Sequence, residues 1–341
     1  MTAPEAAPAR RRAIGIDIGG TKIALATVGD GGEIVHEATI PTRSELGFPS
    51  AVSRMAEAVR GLMAASGWAA TELDGIGVGC AGPVDPVRGT IHNPHTLPGW
   101  TDANIVRALG EAFDRPVVLE NDADMALLGE CAAGAGHGFD PVVMLTFGTG
   151  VGGAALVGGR LLRGSGGEHP EIGHVPVDPR GPRCYCGTNG CLESIASGTA
   201  LTAAAEANGL GDARGLLARA RQGDAMAQVL RANALIAVAT ATWAIVHSFV
   251  PERIVLGGGI MDEHYETFAA AAAEAISRAA QVPAGRISLA RAALGNRAGL
   301  VGAASALWSL SVRQPAGDDA APRVAPADRG SRAGPTEGGQ P

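Results

Sequence analysis

The chain of 341 residues contains a single lysine, Lys22, and only 4% of its side chains are aromatic. It has no basic block, and its formal net charge is −7, which argues against nucleic acid as the main ligand. The phosphate-cradling pattern G-x-x-x-x-G-K-[ST] is absent, which excludes a P-loop enzyme. Long apolar runs are scarce. The longest, Ala232 to Val250, carries Asn233, Thr240, Thr242 and His247 with Arg231 at its edge, and reads as a buried helix rather than a membrane span. The opening M-T-A-P-E-A-A-P-A-R-R-R lacks the apolar core of a signal peptide. Only five cysteines occur, in a usage that fits a reducing cytoplasm, with Cys80 and Cys131 in apolar contexts as buried thiols. The remaining balance, 46% hydrophobic and 18% charged, is that of an ordinary soluble chain long enough for two domains.

The segment from Gly164 to Ser194 organises what is present. Cys184, Cys186 and Cys191 fall within eight residues, and the first lies ten residues after His174. Three thiolates and one imidazole fill a closed tetrahedral zinc site, and Gly187 and Gly190 let the backbone fold tightly around it. The competing reading is three small core cysteines beside an unrelated histidine. It struggles in a turn-rich segment that offers little core to hide them. A structural ion there would lock the loop and position Glu171 and Glu193, which lie close to ligands on either side. If His174 binds through one ring nitrogen, its other N–H is left to donate to a ligand hydroxyl. Carboxylates and an imidazole clustered in a cleft suit a polyhydroxylated ligand, whose hydroxyls both give and accept; alternatively, the two acids only orient metal ligands.

Residues 1–12 and 313–341 read as disordered tails from their composition. Between them a pattern recurs. Strands at Ala13–Asp17, Ile23–Val28 and Glu33–Ile40 are separated by Gly19-Gly20-Thr21-Lys22 and a second glycine turn. Strands at Val142–Thr146, Gly152–Val157 and Arg160–Arg163 are likewise separated by Gly148-Thr149-Gly150 and Gly158-Gly159. Such self-similarity predicts two halves of related architecture facing each other. Helices are expected at Pro49–Ala65, from a Thr101 cap to Phe113, and at Ala123–Ala133. Further helices are expected at 198–208, 213–222, 224–249, 263–280 and 300–310.

Consecutive glycines let backbone N–H groups face an anion closely, so both hairpins are candidate phosphate cradles, with Thr21 and Thr149 adding hydroxyls and Lys22 a charge. Asp17, just before the first turn, suits Mg²⁺, which favours a carboxylate and several waters. A third glycine turn, Gly257-Gly258-Gly259, follows a strand, and together they favour a nucleotide held between two lobes. Asp122 sits where a strand ends and a helix begins, a place that projects a side chain into a cleft. An N-cap would explain one acid or amide of E-N-D-A-D, but not all of them, so Asp122 is the candidate base.

In order, D-I-G-G-T-K, E-N-D-A-D, T-F-G-T-G-V-G-G, E-I-G-H, C-Y-C-G-T-N-G-C-L-E-S and L-G-G-G-I resemble the ROK family of sugar kinases and related repressors, over roughly residues 13–310. The resemblance implies an α/β, two-lobed, actin-like ATPase (ribonuclease H-like) fold with a zinc-bound loop. One lobe would span 13–120, completed by helix 300–310, and the other 121–299 with the zinc loop at 171–193. It implies ATP, Mg²⁺ and structural Zn²⁺ as cofactors, and phosphorylation of a sugar hydroxyl with Asp122 as base. Asn121, Asp122, Glu171, His174 and Glu193 match the family's sugar contacts, and Gly82 and Asn93 its N-terminal-lobe contribution. Only about a dozen residues precede the first strand, which argues against the repressors' helix-turn-helix. Two departures bear on substrate: H-P-E-I-G-H stands where glucose kinases usually read A-G-E-I-G-H, and Asp124 replaces a common asparagine. The expected acceptor is the primary hydroxyl of a hexose, glucose first, or of a hexose-like cyclitol. A C7-cyclitol kinase of secondary metabolism, a fructokinase and a non-catalytic sugar sensor are the alternatives, and His169-Pro170 is the candidate discriminator. A cytoplasmic homo-oligomer, dimer or tetramer, is expected, with no nucleic-acid or membrane partner.

Overall fold

Runs of Ile, Val, Leu and Ala favour a sheet buried on both faces. In the computed structural model, which describes residues 11–94 and 96–311, they build two such sheets. Of the expected tails, only Arg11 and Arg12 lie among the described residues. Strands β1 (Ala13–Ile18), β2 (Lys22–Val28) and β3 (Ile34–Pro41) form an antiparallel meander, on which α1 (Phe48–Ser66) buries Ala51, Met55 and Val59. Strand β4 (Gly75–Cys80) runs parallel to β1. A small sheet follows, made of β5 (Val84–Asp85), β6 (Thr90–Ile91) and β7 (Ala103–Asn104). Then come α2 (Ile105–Phe113), β8 (Val117–Asn121) parallel to β4, and α3 (Asp122–Ala133).

The second half repeats the plan. Strands β9 (Val142–Phe147), β10 (Val151–Val157) and β11 (Arg160–Leu161) form another antiparallel meander. Helices α4 (Leu192–Ala196), α5 (Gly198–Ala207), α6 (Ala213–Arg221) and α7 (Ala225–Phe249) precede β12 (Arg253–Gly257), α8 (Gly259–Ser277), β13 (Ser288–Arg291) and α9 (Ala298–Ser311). The sheet orders, β3-β2-β1-β4-β8 and β11-β10-β9-β12-β13, match position for position. Each continues from its meander into two parallel strands. The repeat inferred from the glycine hairpins is thus a repeat of topology. Each sheet carries its own apolar core. Helices α3 and α9 pack on each other where the halves meet, α9 lying on the first sheet and α3 reaching the second.

Three expectations need correction. Helix α2 begins at Ile105 rather than after Thr101, because Ala103–Asn104 pairs with Thr90–Ile91 and Asn104 is the cap, its Oδ1 accepting the Arg107 N–H at 2.8 Å. Helix α8 begins at Gly259 rather than Glu263: Gly257 completes β12, Gly258 at φ +90° is the cap, and only one residue of that glycine run is a turn. Helix α7 is buried along one face only. Ala234, Ala237, Val238, Ala241 and Ile245 face the core, while Met226, Val229, Ile236 and Trp243 are exposed. By length and apolarity alone it is the one helix among the described residues that could cross a bilayer.

Candidate active site

A cleft of about 520 Å³ opens between the two sheets, with Asp17, Lys22, Asp122, Thr146, Gly258 and Gly299 on its walls. Strand β1 delivers Asp17 near its end, and β8 runs parallel to it one strand away, so the first residue after β8 opens on the same side. That residue is Asp122. Asn121 serves as the cap, its Oδ1 accepting the Ala123 N–H at 2.8 Å, so one member of E-N-D-A-D does cap the helix, as expected. The Asp122 carboxylate also accepts from Ala123 N–H at 2.8 Å.

Burial pushes the Asp17 carboxyl up to about 7, the Asp122 charge adds to the rise, and Lys22 opposes it. Asp122 is reached by solvent through the cleft, yet the protein packed around it still raises its carboxyl. The Ala123 hydrogen bond and His169 work against that rise, while Asp124 and Glu171 add to it. The influence of Glu171 also marks its nearness to Asp122. Burial beside both acids raises the Cys80 thiol well above its ordinary value.

Around the cleft, the structure gathers some of the predicted residues and redirects others. Gly20 lies against Thr96, so the 93–100 loop abuts the first glycine turn, and Thr21 and Lys22 are exposed beside it. Gly19 donates its N–H to Lys22 O at 3.0 Å. Gly82 is next to the Asn121 amide. Asn93 is buried and binds Ala81 O at 3.1 Å and Thr96 Oγ1 at 2.5 Å through Nδ2, so it organises its own loop. The hairpin Gly148-Thr149-Gly150 lies against α5, with Gly148 O and Thr149 O accepting the N–H groups of Gly198 and Thr199 at 2.8 and 3.1 Å. Of the third glycine run, Gly258 alone lines the cleft. Sequence reasoning missed Thr146, Asn296, Arg297 and Gly299 on the cleft wall; the last two follow no glycine-hairpin pattern and arrive only because α9 packs at the junction.

The loop expected to bind metal is built around Glu171 and the 3-10 turn Ile172–His174. A Cβ on Gly173 would run into the Val151 carbonyl, so only glycine brings this turn down onto β10. Gly190, at φ +61°, turns the chain back toward Cys191. The ligand atoms of His174, Cys184, Cys186 and Cys191 all lie within 4.8 Å of one another. His174 Nδ1 is 3.4 Å from Cys184 Sγ, and Cys186 Sγ is 3.4 Å from Cys191 Sγ. A tetrahedral zinc with bonds of about 2.3 Å separates its sulfurs by about 3.8 Å, so the donor set fits. Burial and the neighbouring sulfurs push the Cys191 thiol up to about 12, and a cation among the sulfurs would hold them as thiolates. The outward nitrogen of His174, Nε2, is 4.0 Å from Glu193 Oε1 and 3.1 Å from the hydroxyl of the exposed Tyr185. Tyr185 is the spacer of C-x-C, and nothing in that spacing marks it. Glu193 Oε2 accepts the Val151 N–H at 2.9 Å, tying the loop to the second hairpin.

The ROK family profile matches residues 13–309. The chain belongs to the ROK family. It is 36% identical to the glucokinase of Thermotoga maritima over 263 residues, 72% of this chain and 81% of that protein. The ROK hexokinase of Thermus thermophilus superposes with a TM-score of 0.79 at 38% identity, covering 88% of this chain and 99% of that one. A ROK glucokinase from Streptomyces griseus, solved with glucose and AMPPNP, gives 0.71 at 32% identity, over 86% and 98% of the two chains. The shared architecture is the actin-like ATPase fold.

In this ROK protein the raised acid makes stability depend on pH. Asp17 titrates from a model-peptide 3.8 to about 7 on folding, so between those values the folded chain holds a proton that the unfolded chain releases. Its contribution is fully present below the unfolded value and is lost as pH rises through the folded one. Ligand-free protein therefore loses stability from about pH 4 to pH 7 through this group, and the loss is smaller in Asp17→Asn. Thermal melts of both proteins across that range check it; parallel curves would remove Asp17 as the cause.

Proposed function

We propose that the chain is an ATP- and Mg²⁺-dependent kinase that phosphorylates the exocyclic primary hydroxyl of a hexose, glucose first, or of a hexose-shaped cyclitol. The observation that carries this reading is the placement of Asp122. Its carboxylate opens into the same cleft as Asp17 and Lys22, within electrostatic reach of Glu171 beside the cysteine loop. The kinship with sugar kinases, one of them solved with glucose and AMPPNP, supports the class of reaction and the donor.

Phosphoryl transfer asks a protein mainly for positioning and charge neutralisation. Asp122 accepts the hydroxyl proton as the oxygen attacks, and a raised carboxyl is a better acceptor than an ordinary one. Asp17 would hold Mg²⁺, which neutralises phosphate charge when bound. Lys22, Gly19, Gly20, Thr21 and Gly258 would face the phosphates, and Gly148-Thr149-Gly150 with Gly257 and Gly259 would support that wall. Asn121 with Gly82 beside it, Asn93, Glu171, His174 and Glu193 would receive the sugar. Zinc on His174, Cys184, Cys186 and Cys191 would be held by four protein ligands, and its role would be to fix His174 and Glu193. The lobes would divide at 13–120 with 300–310, and 121–299.

A pyranose and a C7-cyclitol differ mainly at the ring oxygen, and one lost hydrogen bond costs about 0.5–1.5 kcal/mol, so both rings fit this reading. A coupled ADP-release assay over hexoses, amino sugars and cyclitols tests it. Turnover with glucose is expected; tight binding of one sugar with turnover of none would make the chain a sensor. The reading includes a cytoplasmic homo-oligomer. Val229, Ile236 and Trp243 recur every seven residues along the exposed face of α7, the spacing of a helix seam that pairs with its own copy. Sedimentation should show a dimer or larger, and Trp243→Glu should shift it toward monomer; an unchanged size would clear α7 of that role.

A further inference from the structure

Next to the cleft lies a group of charged side chains that neither the phosphate wall nor the cysteine loop uses. Asp124, fully buried in the first turn of α3, receives Arg163 Nη1 at 2.9 Å and His169 Nδ1 at 2.7 Å on the same oxygen, Oδ2. Its other oxygen has no protein partner. Arg163 also reaches Glu120 Oε2 at 2.5 Å, on β8. Taking such groups out of water is expensive, and an apolar cluster of the same volume would hold the fold as well. The arrangement therefore calls for a reason other than stability.

Its connections supply one. Glu120 and Asp124 flank Asp122 two residues away on either side, and His169 stands two residues before Glu171. Glu171 itself has φ −82° and ψ 68°, and the Ile172 N–H donates to Pro170 O at 2.9 Å, closing an inverse γ-turn centred on Glu171. Pro170 fixes the φ angle just before that turn. Glu171 thus hangs on a stiff lever whose far end, His169, is clamped to the helix that begins with Asp122. A shift of about 1 Å at a reacting centre can cost about 10²-fold in rate, so the clamp has leverage on any ligand that spans Asp122 and Glu171.

We propose that Asp124 and His169 are positioning residues that set Glu171 against Asp122 and so select among sugars by where their hydroxyls lie. The inference rests on the kinase reading above. His169→Ala removes the clamp, whereas His169→Asn keeps an N–H near the place of Nδ1. Steady-state kinetics with glucose, mannose, fructose and N-acetylmannosamine, each at saturating ATP, read the effect. His169→Ala should raise the KM for the preferred sugar at least tenfold and change the kcat/KM ratios between sugars by a similar factor. KM for ATP should stay within twofold. His169→Asn should recover most of the loss, and Asp124→Asn combined with His169→Ala should be no worse than the poorer single variant. Should His169→Ala not be recovered folded, Asp124→Asn carries the test by the same criteria. Unchanged ratios in an active variant, an equal loss for every sugar and for ATP, or single effects that simply multiply would each overturn the proposal. Absence of turnover in the unmodified enzyme with every sugar would instead bring down the kinase reading, and this inference with it.

Discussion

Asp122→Asn should lower kcat by about 10²–10⁴-fold while leaving the fold and sugar affinity nearly unchanged. The asparagine keeps the shape and can still accept the Ala123 N–H that the carboxylate receives at 2.8 Å, so the first turn of α3 has no reason to move. What disappears is a proton acceptor at the place where the sugar hydroxyl must be deprotonated. A second effect follows from the coupling of the two acids. Asp122 raises the Asp17 carboxyl, so removing its charge lets Asp17 ionise at lower pH. The residual activity of the variant should therefore reach its plateau at lower pH than the wild type. Rapid-quench or coupled kinetics, with sugar affinity from titration calorimetry, separate the terms. Equal turnover in the variant would end the assignment of Asp122 as base.

The second large effect concerns the cysteine loop. Purified protein should carry one equivalent of zinc, and Cys191→Ser should retain less than half of it and raise the sugar KM by about 10–100-fold. Cys191 is fully buried, directly precedes α4 and is bridged across the loop to Pro176. Losing its thiolate removes the sulfur tie next to the segment that holds Glu193, whose Oε2 accepts the Val151 N–H. His174 loses its fixed tautomer at the same time, and with it a defined donor on Nε2. KM for ATP should move far less, because no residue of the cysteine loop is among those that line the cleft with Asp17, Lys22 and Gly258. Metal analysis of chelator-free protein gives the stoichiometry. An unmodified protein without zinc, or a variant with unaltered sugar affinity, would show that the sulfurs do not govern the site.

Much of this was legible in the chain because the relevant signals are local. The paired glycine hairpins announced a duplicated meander, and the C-x-C-x4-C spacing with His174 brought the four ligand atoms together as expected. That one residue of E-N-D-A-D caps α3 followed from the chemistry of helix starts, and the structure gives that place to Asn121. The misses have equally physical causes. Thr101 looked like a cap, but a two-residue strand at Ala103–Asn104 was worth more paired than helical, and no pattern that short stands out in a sequence. Glycine is a poor helix former, so the run 257–259 reads as turn in the sequence, yet as the first helical residue Gly259 carries little of that penalty. The exposed row on α7 was hidden because alanine fills the inward face as readily as the outward one. The contact between His169 and Asp124, 45 residues apart in the chain, depends on how the loop after β11 returns to α3, and only the assembled fold reveals it.

Lys22 stands exposed on the cleft wall and is the only lysine in the chain. An amine-reactive reagent therefore finds one ε-amine, apart from the chain terminus, and it finds it at the mouth of the candidate nucleotide site. With the α-amine of the terminus blocked, acylation would yield a singly tagged protein. A fluorophore so placed would report directly on what enters the cleft, and protection of that amine by nucleotide would give an occupancy measurement independent of turnover.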